Sequence, residues 1–89
     1  MWGLLYTYTD MLTLFFRKTC PYSKKVREYA DSNKIKLDFK DIAEGANMKA
    51  LVKKGGKEQS PYLYDSSTDM GMYESKLIIT YLKEQYAKK

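Results

Sequence analysis

The chain has 89 residues, a formal net charge of +5 at pH 7, and a composition that is 44% hydrophobic and 15% aromatic. This length suits one domain with a single small core, and the hydrophobic content excludes a disordered chain. The lone cysteine excludes an intrachain disulfide framework, and the lack of histidine excludes histidine acid–base chemistry and histidine metal ligands.

The first ten residues are apolar and aromatic, and Thr7, Thr9 and Asp10 interrupt them. This segment is too short to span a bilayer, and it lacks the basic region and cleavage site of a signal peptide. Met11 is an alternative start of the protein. We therefore treat residues 1–10 as an extension of unknown role and residues 11–89 as the domain.

The most informative segment begins with a strand and continues into a helix. Residues 12–16 are apolar and rich in β-forming side chains, which predicts a buried strand. Pro21 favours a helix start, because the first helical position needs no N–H donor. The pattern therefore places Cys20 at a helix N-terminus, where unpaired N–H groups and the helix dipole favour the reactive thiolate.

The first helix and the strand after it are predicted from periodicity. The helix has an inner face of four side chains at helical spacing: Tyr22, Val26, Tyr29 and Ala30. Residues 31–33 are a stop signal. Ile35, Leu37 and Phe39 then alternate with charged residues, which is typical of a half-buried strand.

The second half of the chain predicts two helices separated by a hairpin. A helix is expected over residues 47–54, with Asn47 as a possible cap and the following glycine pair ending it. Residues 62–64 and 70–72 are short strands joined by a polar turn. An amphipathic helix ends the pattern; its apolar side chains are Leu77, Ile78, Tyr81, Leu82 and Tyr86.

The predicted order is therefore β-α-β-α-β-β-α. A strand–helix–strand start implies a parallel pair of strands, and the late hairpin adds antiparallel strands. The fold class is thus α/β with a mixed sheet. No linker, repeat or low-complexity segment divides the chain.

Three motifs in this order resemble the glutaredoxin branch of the thioredoxin fold over about residues 11–87. They are residues 17–23 around Cys20-Pro21-Tyr22-Ser23, the segment Gln59-Ser60-Pro61, and residues 71–75 before the last helix. The resemblance implies a thioredoxin-like domain with a central four-stranded sheet and three helices. The third motif also resembles the N-terminal domain of glutathione transferases. Those enzymes carry a second, helical domain for which this chain has no room, which favours a stand-alone glutaredoxin.

The resemblance implies chemistry with one thiol, because Ser23 stands where dithiol glutaredoxins have their second cysteine. Cys20 would attack the glutathione sulfur of a mixed disulfide and release the substrate thiol. A second glutathione would then attack, which regenerates the thiolate and releases oxidised glutathione. Ser23 is either a hydrogen-bond donor to the thiolate or an ordinary residue of the first helical turn.

The same resemblance implies how the tripeptide is held. Arg17 matches a basic residue that meets the glycyl carboxylate, and its alternative is a solvated charge at a strand end. A cis bond before Pro61 would bring the Ser60 backbone beside Cys20, where it pairs with the cysteine of glutathione.

Four further residues complete the expected glutathione site. Ser75 would hold the γ-glutamyl carboxylate at a helix N-terminus, and Glu74 would meet the γ-glutamyl ammonium. Tyr22 would pack either on the tripeptide or on the core, and Gln59 would assist. The alternative for Glu74 and Ser75 is a favourable acidic first turn with a cap.

The expected protein is a cytoplasmic monomer that uses glutathione as co-substrate and reduces glutathionylated proteins or small disulfides. No metal, membrane or nucleic-acid partner is expected. The positive net charge indicates either a solvated lysine-rich surface or attraction of an anionic partner, and no run of basic residues supports nucleic acid. Two alternatives remain. One is a carrier of a [2Fe-2S] cluster ligated by glutathione, against which the stiff Pro21 argues. The other is a glutathione-binding module with an unreactive thiol.

Overall fold

The computed structural model describes residues 12–86, so the expectations for residues 1–10 lie outside the described residues. Seven elements follow one another in this range. They are β1 (Leu12–Phe16), α1 (Pro21–Ser32), β2 (Asp38–Asp41), α2 (Gly45–Gly55), β3 (Tyr62–Asp65), β4 (Met70–Met72) and α3 (Ser75–Gln85).

The four strands form one mixed sheet in the order β2-β1-β3-β4. β1 runs parallel to β2, and the pairs β1–β3 and β3–β4 are antiparallel. Leu14 lies at the centre of the sheet, opposite Phe39 on one side and Leu63 on the other. The described residues therefore confirm the predicted order and the thioredoxin-like α/β fold with a mixed four-stranded sheet and three helices.

Alternation along β1 divides the core into two layers. Leu12, Leu14 and Phe16 face α1 and α3, where they pack with a cluster that also contains Val26, Leu63, Ile78 and Leu82. Phe15 points to the opposite face, where it packs with Ile42, Leu51 and Tyr62. Each of these buried side chains contributes on the order of 1.5–3 kcal/mol, so both faces of the central strand hold the helices in place.

Two predicted boundaries were wrong by a few residues. β2 begins at Asp38, because pairing with β1 starts there opposite Thr13; Ile35 and Leu37 precede the strand and pack against the core as half-buried side chains. α2 begins two residues before the predicted start, so Asn47 lies inside the helix and is not its cap. Its side-chain amide instead donates to the Asp41 carbonyl at 2.9 Å.

The sheet brings the three sequence motifs to one end of the molecule. β3 is antiparallel to β1, so the start of β3 at Tyr62 lies opposite Phe15 near the end of β1. β4 is antiparallel to β3, so its end at Met72 lies beside Leu63. The segments after β1, before β3 and after β4 therefore converge, and they contain Cys20, Pro61 and Ser75.

Candidate functional site

Cys20 occupies the N-cap position of α1, as the sequence predicted. Its backbone is extended (φ −86°, ψ 118°), and Pro21 is the first helical residue. The Cys20 N–H donates to the Arg17 carbonyl at 3.0 Å, and its carbonyl accepts from the Lys24 N–H at 3.1 Å. The thiol is half-buried and free of any disulfide, so it is fixed in position and still reachable from solvent.

The surroundings of Cys20 favour its thiolate. Burial raises the pKa of the thiol, but hydrogen bonds from the Ser23 backbone and hydroxyl, from Ser60 and from the Tyr22 backbone outweigh it, and the net pKa lies below the ordinary value. Donors at a helix N-terminus stabilise the charged form of an acid, which is the effect seen here. A thiol in this setting reacts more readily at neutral pH than a free cysteine does.

Ser23 is fully buried in the first turn of α1. Its hydroxyl oxygen accepts a hydrogen bond from the Arg17 N–H at 3.3 Å, which ties the loop after β1 to the first turn of α1. The hydroxyl also lowers the pKa of Cys20. Ser23 is therefore a buried polar anchor of the loop, and it has no sulfur with which to form a disulfide.

The loop before β3 faces Cys20 across a short gap. The Ser60–Pro61 peptide bond is cis, as the resemblance implied. The Cys20 thiol donates a weak hydrogen bond to the Ser60 carbonyl, with 3.9 Å between sulfur and oxygen. The backbone of this loop thus lies beside the sulfur, although 40 residues separate the two in sequence.

A cavity of about 300 Å³ opens beside this pair. All three motifs contribute to its lining, together with two lysines outside them. The lining residues are Tyr22, Lys25, Gln59, Ser60, Pro61, Tyr73, Glu74, Ser75 and Lys76. Six of the expected site residues are among them. Cys20 borders the cavity through its contact with Ser60, whereas Arg17 is exposed and is not among the lining residues.

The far wall of the cavity is the N-terminus of α3. Glu74 is the N-cap residue (φ −81°, ψ 134°), and its side chain makes no capping hydrogen bond. Its carbonyl accepts from the Ile78 N–H at 2.9 Å, which starts the helix. The first backbone N–H groups of α3 lack partners inside the helix, so they face the cavity as donors suited to an anion.

Three cavity residues were missed by the sequence reasoning: Lys25, Tyr73 and Lys76. The Tyr73 ring lies 4.6 Å from the Tyr62 ring, and its hydroxyl accepts from the Lys57 N–H and donates to the Lys57 carbonyl, each at 2.9 Å. The position of Tyr73 directly before Glu74 was the available signal. Tyr22, which the periodicity assigned to the inner face of α1, is instead 57% exposed and lines the cavity.

A larger hollow of about 490 Å³ lies between α1 and β2, around Phe16, Arg27 and Phe39. It contains no residue of the three motifs, so size alone does not identify the reactive site. Within residues 12–86, no cluster of three or more cysteine or acidic side chains is arranged to hold a metal ion. None of the helices in this range is long and apolar enough to cross a membrane.

The fold and this site define a thioredoxin-like domain with one half-buried cysteine and a helix N-terminus lining the cavity beside it. The sequence matches the family model of the glutathione S-transferase N-terminal domain over residues 14–89. This match covers most of the chain, so the protein belongs to that family. The resemblance of the third motif to glutathione transferases is therefore confirmed. No curated protein sequence is significantly similar to the chain.

Solved structures with the same fold include several glutathione transferases. The unclassified transferase 2 of Bombyx mori has a TM-score of 0.76 at 19% identity over 90% of this chain. The enzyme of the Antarctic clam Laternula elliptica has a TM-score of 0.74 at 23% identity over 89% of this chain. A homologue from Drosophila mojavensis with bound glutathione has a TM-score of 0.74 at 21% identity over 88% of this chain. The chain spans only 38%, 36% and 36% of these proteins.

Proposed function

We propose that this domain binds glutathione in the cavity beside Cys20 and reduces glutathione mixed disulfides through that single thiol. One observation carries the proposal. The Cys20 thiol has a lowered pKa and its sulfur lies 3.9 Å from the carbonyl of Ser60, and Ser60 lines a cavity that the N-terminus of α3 also lines. Membership of the glutathione S-transferase N-terminal domain family supports glutathione as the ligand.

The cavity offers a partner for each end of the tripeptide. The α3 N-terminus at Ser75 takes the γ-glutamyl carboxylate, and Glu74 takes the ammonium group beside it. The Ser60 backbone pairs with the cysteine residue of glutathione as an added strand. Tyr22 and Gln59 flank the tripeptide on the open side.

Arg17 remains our proposed partner for the glycyl carboxylate. Its backbone is fixed by the hydrogen bonds to Cys20 and Ser23, and its side chain is exposed. An exposed arginine beside a site reaches a bound carboxylate by rotation of its side chain. The bidentate pair of hydrogen bonds then compensates for the conformational entropy that the side chain loses.

The reaction needs one thiolate and two glutathione molecules. The Cys20 thiolate attacks the glutathione sulfur of the mixed disulfide; the new S–S bond forms as the old one breaks, and the substrate thiolate leaves and takes a proton from water. The thiolate of a second glutathione then attacks the sulfur of the bound glutathione. Oxidised glutathione leaves, and Cys20 is again a thiolate.

Turnover of a small mixed disulfide of glutathione, with free glutathione as the reductant, tests this route. We expect Cys20→Ser to abolish turnover, because it removes the only sulfur nucleophile in the site. Ser23→Cys should retain turnover and also permit an intrachain disulfide, because Ser23 lies three residues after Cys20 in the first turn of α1 and its hydroxyl acts on the Cys20 thiol. Wild-type activity that survives in Cys20→Ser would rule out the mechanism.

A second candidate is glutathione conjugation, which family membership favours. In that reaction the thiolate of bound glutathione attacks an electrophile, and Cys20 is not consumed. The two functions separate in one comparison: Cys20→Ser should remove disulfide reduction and leave conjugation of a chlorinated nitrobenzene intact. Visible absorbance of protein purified without oxygen checks for an iron–sulfur cluster.

A further inference from the structure

The exposed side of α2 and the loop after it form a surface of uniform charge. Lys49, Lys53, Lys54 and Lys57 are all exposed, and we call these four side chains the lysine face. No acidic residue occurs between Gly45 and Lys57. Within residues 12–86 the ion pairs involve Lys18, Lys24 and Lys40, so none of the four lysines forms a salt bridge there; Glu44 and Glu58 flank the segment in sequence.

Two of these lysines are held in place by aromatic rings. The Lys54 ammonium lies 4.1 Å from the centre of the Tyr64 ring, and that of Lys57 lies 5.7 Å from the Tyr73 ring. A cation over a tyrosine face is attracted by the negative face of the ring, and it keeps its remaining donors for a partner. Lys49 and Lys53 lie one turn apart, opposite the buried Leu51.

The lysine face continues into the cavity through Tyr73. The Tyr73 hydroxyl exchanges two hydrogen bonds with the Lys57 backbone, and its ring is a wall of the cavity. On the cavity walls themselves, Lys25 and Lys76 have no ion pair within the described residues, and Glu74 is the one carboxylate. Positive charge therefore extends from α2 to the rim beside Cys20.

We propose that the lysine face docks proteins whose glutathionylated cysteine lies in an acidic surface. This inference rests on the proposed function: the cavity accepts the tripeptide, so a protein that carries it must lie against the surrounding rim. Lysines there that form no salt bridge attract an acidic surface, which accelerates encounter and orients the mixed disulfide toward Cys20. Partners with a neutral or basic surface gain nothing from this field.

The test compares two glutathionylated peptides that differ only in the residues around the modified cysteine. One peptide has aspartate and glutamate there, and the other has asparagine and glutamine. A neutral small mixed disulfide reports the chemistry alone. The variant is K49Q/K53Q/K54Q, with Lys57 kept because its ammonium lies over the Tyr73 ring of the cavity wall. The matched control is K34Q/K36Q/K83Q, which removes three exposed lysines from the α1–β2 connection and the end of α3.

We expect wild-type kcat/KM for the acidic peptide to exceed that for the amide peptide by about tenfold at low ionic strength, and salt should erase the difference. The lysine-face variant should lose most of this preference, and the control should keep it. Both variants should turn over the small mixed disulfide at the wild-type rate.

Equal kcat/KM for the two peptides, or equal losses in the variant and the control, would overturn the docking proposal. The proposed function would still stand in that case if the small mixed disulfide is turned over. Lack of turnover of the small disulfide by wild type would overturn the function itself. Fluorescence anisotropy with both peptides lacking glutathione then measures docking separately. Tighter binding of a DNA duplex than of the acidic peptide, lost in the lysine-face variant, would show that the surface binds nucleic acid and refute a protein partner.

Discussion

At the residue scale, Ser23 explains both the loop geometry and the acidity of Cys20. The Ser23 oxygen accepts a hydrogen bond from the Arg17 N–H, and the hydroxyl keeps its own proton for donation. Hydrogen bonds from the Ser23 backbone and hydroxyl are the two largest effects that lower the pKa of Cys20. In the proposed reaction, the residue that prevents dithiol chemistry therefore assists one-thiol chemistry.

We expect Ser23→Ala to raise the pKa of Cys20, because the thiolate loses a hydroxyl donor. The wild-type thiolate persists to lower pH than the thiolate of the variant. Alkylation of the variant by iodoacetamide should therefore be slower than that of wild type at neutral pH, by up to about tenfold per pKa unit. At high pH the two rates should match. The pH profile of the alkylation rate measures this shift. Ser32→Ala, at the exposed end of the same helix, is the control and should leave the profile unchanged. Coinciding profiles for Ser23→Ala and wild type would contradict the assigned donor.

The position of Cys20 was predictable from sequence, but the cavity walls were only partly so. A strand followed by Pro21 indicates a helix start, and the thiol before it then faces unpaired N–H groups. Lys25 and Tyr73 lie on different elements and meet only because β3 and β4 reverse beside β1. Periodicity describes one element at a time, so it assigned Tyr22 to the core and gave Tyr73 no role.

At the element scale, periodicity predicted which side chains are buried better than where pairing begins. Ile35 and Leu37 do contact the core, as their alternation indicated, yet the backbone pairs only from Asp38. Likewise α2 starts at Gly45, which gives no strong start signal. Gly56 did mark its end correctly, because its left-handed backbone (φ 86°) is the conformation that glycine tolerates.

The contact between α2 and the cavity depends on Gly55. A Cβ atom there would lie 2.3 Å from the Tyr73 hydroxyl and 3.0 Å from the Tyr62 ring. We therefore expect Gly55→Ala to push the Tyr73 ring into the cavity and to cost about 1–3 kcal/mol of stability. Glutathione affinity by calorimetry should fall, and urea unfolding should show the loss. Gly45→Ala is the control, since a Cβ there meets nothing within 4 Å. Unchanged affinity in Gly55→Ala would mean that the wall is not fixed by this contact.

At the scale of the whole molecule, one buried carboxylate joins the hairpin to the last helix. Asp65 is fully buried at the end of β3, and it accepts hydrogen bonds from the Ser67 N–H and hydroxyl in the turn. The hydroxyls of Tyr81 and Tyr86 in and after α3 donate to its other oxygen. Because α3 begins at the cavity wall, this junction at the opposite end holds the helix that presents Ser75.

The sequence predicted Asp65 only as the first residue of a turn, whereas the structure makes it the last residue of β3. Nothing in the spacing indicated that two tyrosines sixteen and more residues later donate to it. Helical periodicity counted both tyrosines as apolar members of α3. A polar cluster of this kind forms only once the packing of α3 on the sheet is set, which a pattern along one element does not contain.

The same junction makes the stability of the domain depend on pH. Burial raises the pKa of Asp65, but the hydrogen bonds from Ser67, Tyr81 and Tyr86 outweigh it, so the pKa in the folded state lies below the ordinary value. A carboxyl group with a depressed folded pKa stabilises the fold above its unfolded pKa, and this contribution is lost as the pH falls toward the folded pKa. We expect Asp65→Asn to cost about 2–4 kcal/mol at neutral pH, because several buried donors lose a charged acceptor.

Urea unfolding over a range of pH tests the assignment through the difference between wild type and Asp65→Asn. This difference should be largest at neutral pH and should shrink as the pH falls below the unfolded pKa of aspartate, because protonation then removes the charge from wild type as well. Asp69→Asn is the matched control in the same hairpin, since Asp69 is exposed and accepts one hydrogen bond, from Tyr64. Its cost should stay below about 1 kcal/mol. A pH-independent difference for Asp65→Asn would show that the variant loses packing and that the charge of Asp65 does not hold α3 to the sheet.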